Sequence, residues 1–145
     1  VGLVIDRVNI ENFKTKINHL VKEKLRFEDF IPSLEIDMEL ELSDLNEDLI
    51  AELELLEPFG AANPKPLFYT ANLRIKGAMQ LLGRDTIKFW VTDNKTTYQA
   101  VGFGKAGLRD NLISADSFDL AYTPRLDSWQ GNSKIILEIK DLFLK

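Results

Sequence analysis

Residues 55–67, read as Leu55-Leu56-Glu57-Pro58-Phe59-Gly60-Ala61-Ala62-Asn63-Pro64-Lys65-Pro66-Leu67, set three prolines, a glycine and an asparagine between a leucine-rich stretch and an aromatic, β-rich one. Proline fixes φ and removes a donor, and the residue before it is pushed out of the helical region. The spacing therefore predicts that Glu57, Asn63 and Lys65 are extended and that the preceding helix stops near Leu56. So stiff a connector implies a helix-bearing piece and a β-rich piece held at a fixed angle.

Upstream, Leu34, Ile36, Met38, Leu40 and Leu42 alternate with Glu35, Asp37, Glu39 and Glu41, which predicts a half-buried strand. Ser43 is placed to cap a helix with Asp44, Glu47 and Asp48 in its first turns and Leu45, Leu49, Leu53 and Leu56 as its apolar stripe. Nearer the start, Leu3-Val4-Ile5 is a short run of strand type. Asn9 is placed to cap a helix whose stripe is Ile10, Phe13, Ile17, Leu20 and Val21, ending near Leu25.

Downstream the period becomes two. Tyr69, Ala71, Leu73 and Ile75 alternate with Thr70, Asn72, Arg74 and Lys76, and Gly77 and Gly83 bracket an expected loop. Ile87, Phe89 and Val91 form a second strand, Asp93-Asn94-Lys95 a turn, and residues 96–103 a third strand. Residues 104–113 are helix-compatible, with Leu108 and Leu112 four apart. Phe118, Leu120 and Tyr122 start a fourth strand, and Ile135, Leu137 and Ile139 a fifth. Three strands, a short helix, then two strands is the order of an OB barrel. The fold class is α+β: a five-stranded OB-type β-barrel preceded by strand–helix units. Residues 34–145 make the main domain, with a strand and helix over 34–57 and the barrel over 67–145. Residues 1–33 stand as a separate N-terminal piece.

The 145 residues, 45% hydrophobic and 28% charged, are enough to bury a core. No apolar run reaches the roughly 18 residues of a membrane span, and Asp6 and Arg7 interrupt any signal-peptide pattern. The chain has no cysteine, which excludes disulfides, thiolate metal sites and a cysteine nucleophile and fits a cytoplasmic setting. Its one histidine, His19, lies off its helix's stripe, as a surface residue does. Residues 1–57 carry six Lys/Arg against fifteen Asp/Glu, a net of −9, and residues 58–145 carry twelve against eight, a net of +4. The acidic part is unsuited to nucleic acid, while the later part is mildly basic.

The sequence also resembles a known family. LEPFGAANPKPLF is similar to LEPFGxGNPxPxF, which opens the C-terminal OB domain of RecJ-type single-strand-specific DNA exonucleases; Ala62 replaces the family's second glycine. Residues 118–124, Phe-Asp-Leu-Ala-Tyr-Thr-Pro, with Trp129-Gln130-Gly131 and Ile139-Lys140-Asp141-Leu142, resemble its closing DLxYxP…WxG…KDL pattern. Ala100-Val101-Gly102-Phe103-Gly104 resembles its AxxFG, and residues 34–40 its first strand. The residue before Ile87-Lys88, commonly histidine in the family, is Thr86.

The resemblance implies a C-terminal piece of a 5′→3′ single-stranded DNA exonuclease of DNA repair and recombination. Its residues 1–33 would be the tail of the domain that follows the catalytic core, since Val1-Gly2-Leu3 resembles the residues just after that domain's Gly-Gly-His motif. Such nucleases resemble DHH phosphoesterases, which hold two divalent ions, Mn2+ or Mg2+, on Asp and His residues. This chain contains no DHH, DxD or HxxH spacing, so cleavage is expected in a catalytic core elsewhere and no cofactor is expected in this piece.

Binding is the chemistry left. OB barrels hold single strands on strands two and three, between the loops joining strands one–two and four–five, with aromatic rings for bases and Lys/Arg for phosphates. On this chain those positions give Arg74 and Lys76 on the first strand, Arg84 in the first loop, Lys88 and Trp90 on the second strand and Tyr98 on the third. Arg125, Trp129 and Lys134 flank the last hairpin. The alternation sends one of Phe89 and Trp90 outward. Trp90 either faces a strand or is covered by the N-terminal helix–strand unit, Trp129 either stacks on a base or caps the barrel end, and the direction of Tyr98 is not fixed by its neighbours. Single-stranded DNA is the expected ligand. The alternative is a protein-interaction module that packs on its own catalytic domains or docks single-strand binding protein.

Overall fold

The computed structural model describes the backbone of residues 2–129 and 132–145, and their side chains except those of Trp129 and Asn132. The chain divides into two compact units, residues 1–34 and 35–145. In the first, a short turn over Arg7–Asn9 leads into helix α1, Ile10–Lys24, and a second turn spans Phe27–Phe30. Two local expectations fail here. Leu3-Val4-Ile5 forms no strand, because no neighbour takes its hydrogen bonds. Asn9 makes no side-chain cap bond, since its φ of −93° and ψ of −5° already continue the turn into the helix. The stripe Phe13, Ile17 and Leu20 lies on α1, but no residue of that helix is buried.

The second unit contains β1 (Met38–Glu39), α2 (Glu47–Glu54), β2 (Phe68–Leu82), β3 (Thr86–Thr92), β4 (Thr97–Gly102), α3 (Arg109–Ser114), β5 (Phe118–Trp129) and β6 (Asn132–Leu144). The sheet order is β1-β2-β3-β4-β6-β5, and a further β2–β5 pairing closes the five long strands into a barrel. Closure removes the free edges that an open sheet would leave. With α3 between β4 and β5, this is the OB fold. Leu73, Ile87, Phe89, Leu120, Tyr122 and Leu137, all at or near zero exposure, fill the interior. Phe89 meets Phe118 edge-on, with ring centroids 6.2 Å apart.

Three elements depart from the sequence reading. The alternation over residues 34–42 yields only a two-residue strand, paired in parallel with β2, and Ile36 and Met38 stay exposed. Alternation marks an extended amphipathic segment; it does not supply a cover for the apolar side. Helix α2 begins at Glu47, because Asn46 Oδ1 accepts the Leu49 N–H at 2.8 Å. Ser43 lies in a separate turn, Leu42–Asp44, whose Leu42 is buried. The expected loop between Gly77 and Gly83 is instead a continuation of β2. Three residues of β2 stand between the pairs Lys76–Trp90 and Gln80–Lys88 where β3 has one, so Gly77, at φ +77°, opens a bulge.

The proline segment is a joint tied by hydrogen bonds. Asn63 Nδ2 donates to the Leu56 carbonyl at 2.8 Å and the Pro58 carbonyl at 3.2 Å, and Gly60 and Asn63 bond to each other in both directions. Ala62 does not adopt a positive φ, so glycine is not needed there. Beyond the segment, the Asp37 carboxylate accepts the Leu67 N–H at 2.8 Å, and Asp37 N–H donates to the Leu67 carbonyl at 2.9 Å. Thr123 Oγ1 bonds the Pro66 carbonyl. Thr70 Oγ1 donates to the Leu40 carbonyl at 2.7 Å and lies 3.0 Å from the Tyr122 hydroxyl. Asp119, 6% exposed, accepts from Tyr69 Oη at 2.6 Å, Asn72 N–H at 2.8 Å and Lys145 Nζ at 2.8 Å.

Candidate nucleic-acid interface

Strand β3 turns Ile87, Phe89 and Val91 into the barrel, so Lys88, Trp90 and Thr92 face outward. The register extends that face around the barrel. Trp90 lies opposite Lys76 of β2 and Gln99 of β4; Gln99 lies opposite Ile136 of β6, and Ile136 opposite Arg125 of β5. One lateral row thus carries a cation at each end and an indole between them. On one side of it, Lys88 lies opposite Gln80 and Val101. On the other, Arg74 lies opposite Thr92, and Lys134 opposite Asp127. Six sequence-selected residues, Arg74, Lys76, Lys88, Trp90, Arg125 and Lys134, therefore share the outer face.

The aliphatic residues of this face, Val101 and Ile136, are buried, whereas Trp90 is 42% exposed. The indole is thus the large apolar surface that these rows leave open to solvent. Lys76 Nζ reaches Thr97 Oγ1 at 3.4 Å, and Arg125 Nη1 stands 3.6 Å from Asp127 Oδ1. Both contacts are solvent-exposed and weak. Glu138 pairs with Lys140. Arg74, Lys88 and Lys134 make no ion pair among the described residues.

The remaining selections fall elsewhere. Arg84 sits exposed at the turn between β2 and β3, next to Gly83 at φ +63°. Tyr98 is not on the outer face: its ring packs against the core and its hydroxyl donates to the Leu45 carbonyl. Burial pushes that phenol's pKa up. It pins the segment before α2 to the barrel and offers no ring to a base. The Trp129 side chain and Gly131 lie outside the described residues. Among the described residues no group of three His, Cys, Asp or Glu is arranged to hold a metal ion. No helix among them is long and apolar enough to cross a membrane.

The family described as the RecJ OB domain matches residues 36–141. The chain belongs to this RecJ OB-domain family. It is 26% identical over 141 residues to the single-stranded-DNA-specific exonuclease RecJ of Bacillus subtilis (strain 168), spanning 97% of this chain and 18% of that protein. Crystal structures of RecJ from Thermus thermophilus share its fold. The Mg2+ complex matches with a TM-score of 0.73 at 21% identity, over 96% of this chain and 21% of that one. The Mn2+ complex matches at 0.72 and 19% identity, over 99% and 20%. The chain thus spans about a fifth of the length of these relatives.

Within the RecJ OB domain, the stretch that resembles AxxFG holds two glycines, Gly102 and Gly104, in different local settings. A Cβ on Gly102 would meet Lys105 at 3.1 Å and Ile87 at 3.2 Å, a tight fit that would require those side chains to shift by a few tenths of an ångström. Gly104 adopts φ +67°. Between them Phe103 is 57% exposed, just past the Gly102–Ile87 pair that ends β4. Sequence reading passed over this ring; the signal was an aromatic between two glycines at a strand end, where no core awaits it.

Proposed function

We propose that the outer face of this RecJ OB domain holds single-stranded DNA and presents it to the catalytic core of the intact exonuclease. The observation that carries this reading is the row Lys76–Trp90–Gln99–Ile136–Arg125: an exposed indole with a cation at each end. A base stacked on an aromatic ring contributes about 1–3 kcal/mol, and flanking cations neutralise phosphates without reading sequence. Lys88, Arg74 and Lys134 extend the track on both sides, with Arg84 and the exposed Phe103 as outlying contacts. The Bacillus subtilis relative is a single-stranded-DNA-specific exonuclease, which fits such a ligand. The divalent ions belong to the core, and residues 1–33 read as the tail of the domain before the barrel.

The test is a titration of this chain with labelled oligothymidylate at two salt concentrations. Binding that weakens with a log–log slope near −0.7 per neutralised phosphate supports the reading. Trp90→Ala and Lys88→Ala should each weaken it. If the chain binds no oligonucleotide even at low salt, the protein-interaction alternative takes its place, in which the domain packs on its own nuclease core or docks single-strand binding protein.

A further inference from the structure

We propose that the groove between β2 and α3 is a second nucleotide subsite, in which Arg74 and Arg109 hold phosphate and an aliphatic wall receives a base. This rests on the reading of the outer face as a single-strand track. Arg74 follows Lys76 on that face at a separation of two residues, about 7 Å along the strand, and stands where two grooves meet.

The larger groove, about 810 Å³, sets Glu39, Glu41, Asp44 and Asp93 against Arg74 and Lys95. Four carboxylates against two cations turn a polyanion away. The smaller, about 470 Å³, sets Arg74 and Arg109 against Asp116 alone. It falls within the roughly 300–1,000 Å³ of small-ligand clefts and has room for a nucleobase.

The walls suit a base as well as a phosphate. Ile75, Met79 and Ile113 line the smaller groove, and Ile113 is 54% exposed, an aliphatic surface with an open face. The β2 bulge adds a backbone wall at Gly77, where a Cβ would meet nothing within 4 Å. Among the described residues Arg109 pairs with its neighbour Asp110, at 3.1 Å and in contact with solvent, and a phosphate readily displaces such a pair. A strand leaving Trp90 past Lys76 and Arg74 is thus drawn along β2 towards α3 and repelled from the acidic groove.

The test measures fluorescence anisotropy of the full chain with oligothymidylates of about 6 and about 16 nucleotides, within the span of OB site sizes. Arg109→Ala is expected to leave the short oligonucleotide's affinity unchanged and to weaken the long one several-fold, with a salt slope smaller by about 0.7. Asp116→Asn should strengthen the long one alone, and Trp90→Ala should weaken both. Unchanged long-oligonucleotide affinity and slope in Arg109→Ala, alongside a loss in Trp90→Ala, would overturn the subsite and leave the outer-face reading standing. No binding by the unmodified chain, or no loss in both Trp90→Ala and Lys88→Ala, would overturn both.

Discussion

The joint around Asp119 and the outer face around Trp90 use polar and aromatic groups in opposite ways. At the joint the buried acceptor is fully used: one carboxylate takes Tyr69, Asn72 and Lys145, and no buried side-chain polar atom among the described residues lacks a partner. On the outer face the cations have weak partners or no ionic ones, and an indole lies open to solvent. A buried polar group without its partner costs far more than a satisfied one gains, so the joint tolerates little change. The outer face has no such internal constraint, and its groups are available to a ligand. The proline segment and Asp119 that help make the family recognisable belong to the joint, while Trp90 and the cations proposed to touch DNA lie outside the resembling motifs; Phe103, in the AxxFG-like stretch, is the exception.

The largest expected effect breaks the joint. Asp119→Ala leaves the Tyr69 hydroxyl and the Asn72 N–H without their acceptor and the Lys145 ammonium with Asn72 Oδ1 alone, and should cost about 2–4 kcal/mol of folding stability. Urea denaturation would read it as a lower midpoint with unchanged slope, and oligonucleotide affinity should survive wherever the variant is folded. Next comes Trp90→Ala, which should lose about 1–3 kcal/mol of binding while the urea midpoint barely moves. If Trp90→Ala unfolds the barrel, or Asp119→Ala abolishes binding in the folded state, the division between the two regions fails.

The sequence carried this division unevenly. The barrel was legible because apolar residues recur at period two in the sequence of β3, β5 and β6, and the alternation required one of Phe89 and Trp90 to face outward. Periodicity carries no information about partners, which is why residues 34–42 read as a full strand and pair over two residues. Glycine signals a break, but Gly77 marks a bulge within a strand whose hydrogen bonding resumes at Gln80. Ser43 and Asn46 are both competent caps, and the burial of Leu42 and Leu45 on the barrel decides between them. Tyr98 was undecided because its strand is mixed on both sides, and its acceptor, the Leu45 carbonyl, lies 53 residues away in sequence.

A smaller effect separates the regions by pH. Burial pushes the Asp119 carboxyl up, but Lys145, Tyr69 and the Asn72 amide together hold it below its ordinary value. A depressed folded pKa stabilises above the ordinary carboxylate range and is lost as pH falls through it, below about pH 4. The Tyr69 phenol is pushed up to about 12, first by its hydrogen bond to Asp119 and then by burial. A raised folded pKa contributes stability below the ordinary tyrosine value and loses it as pH rises from about 10 towards 12. Tyr69→Phe should lower stability by about 1–2 kcal/mol at neutral pH and shrink the alkaline loss. Tyr122, pushed up to about 12 by burial, and Tyr98, also raised by burial, keep the remainder. The same variant should bind oligonucleotide as the unmodified chain does.

The smallest effect probes whether the proline segment belongs wholly to the joint. Asn63→Ala removes the donors to the Leu56 and Pro58 carbonyls but leaves the backbone bonds between Gly60 and residue 63. Because Asn63 is solvent-exposed, water replaces part of what is lost, and the cost should be about 1 kcal/mol or less. The segment lies between α2 and β2, and the Thr123–Pro66 bond ties it to β5 near Arg125. If its side-chain bonds only hold the joint, the urea midpoint falls slightly and DNA affinity is unchanged at every salt concentration. A loss of affinity larger than the loss of stability would mean that this connector also sets the position of Arg125, and that joint and outer face are mechanically coupled.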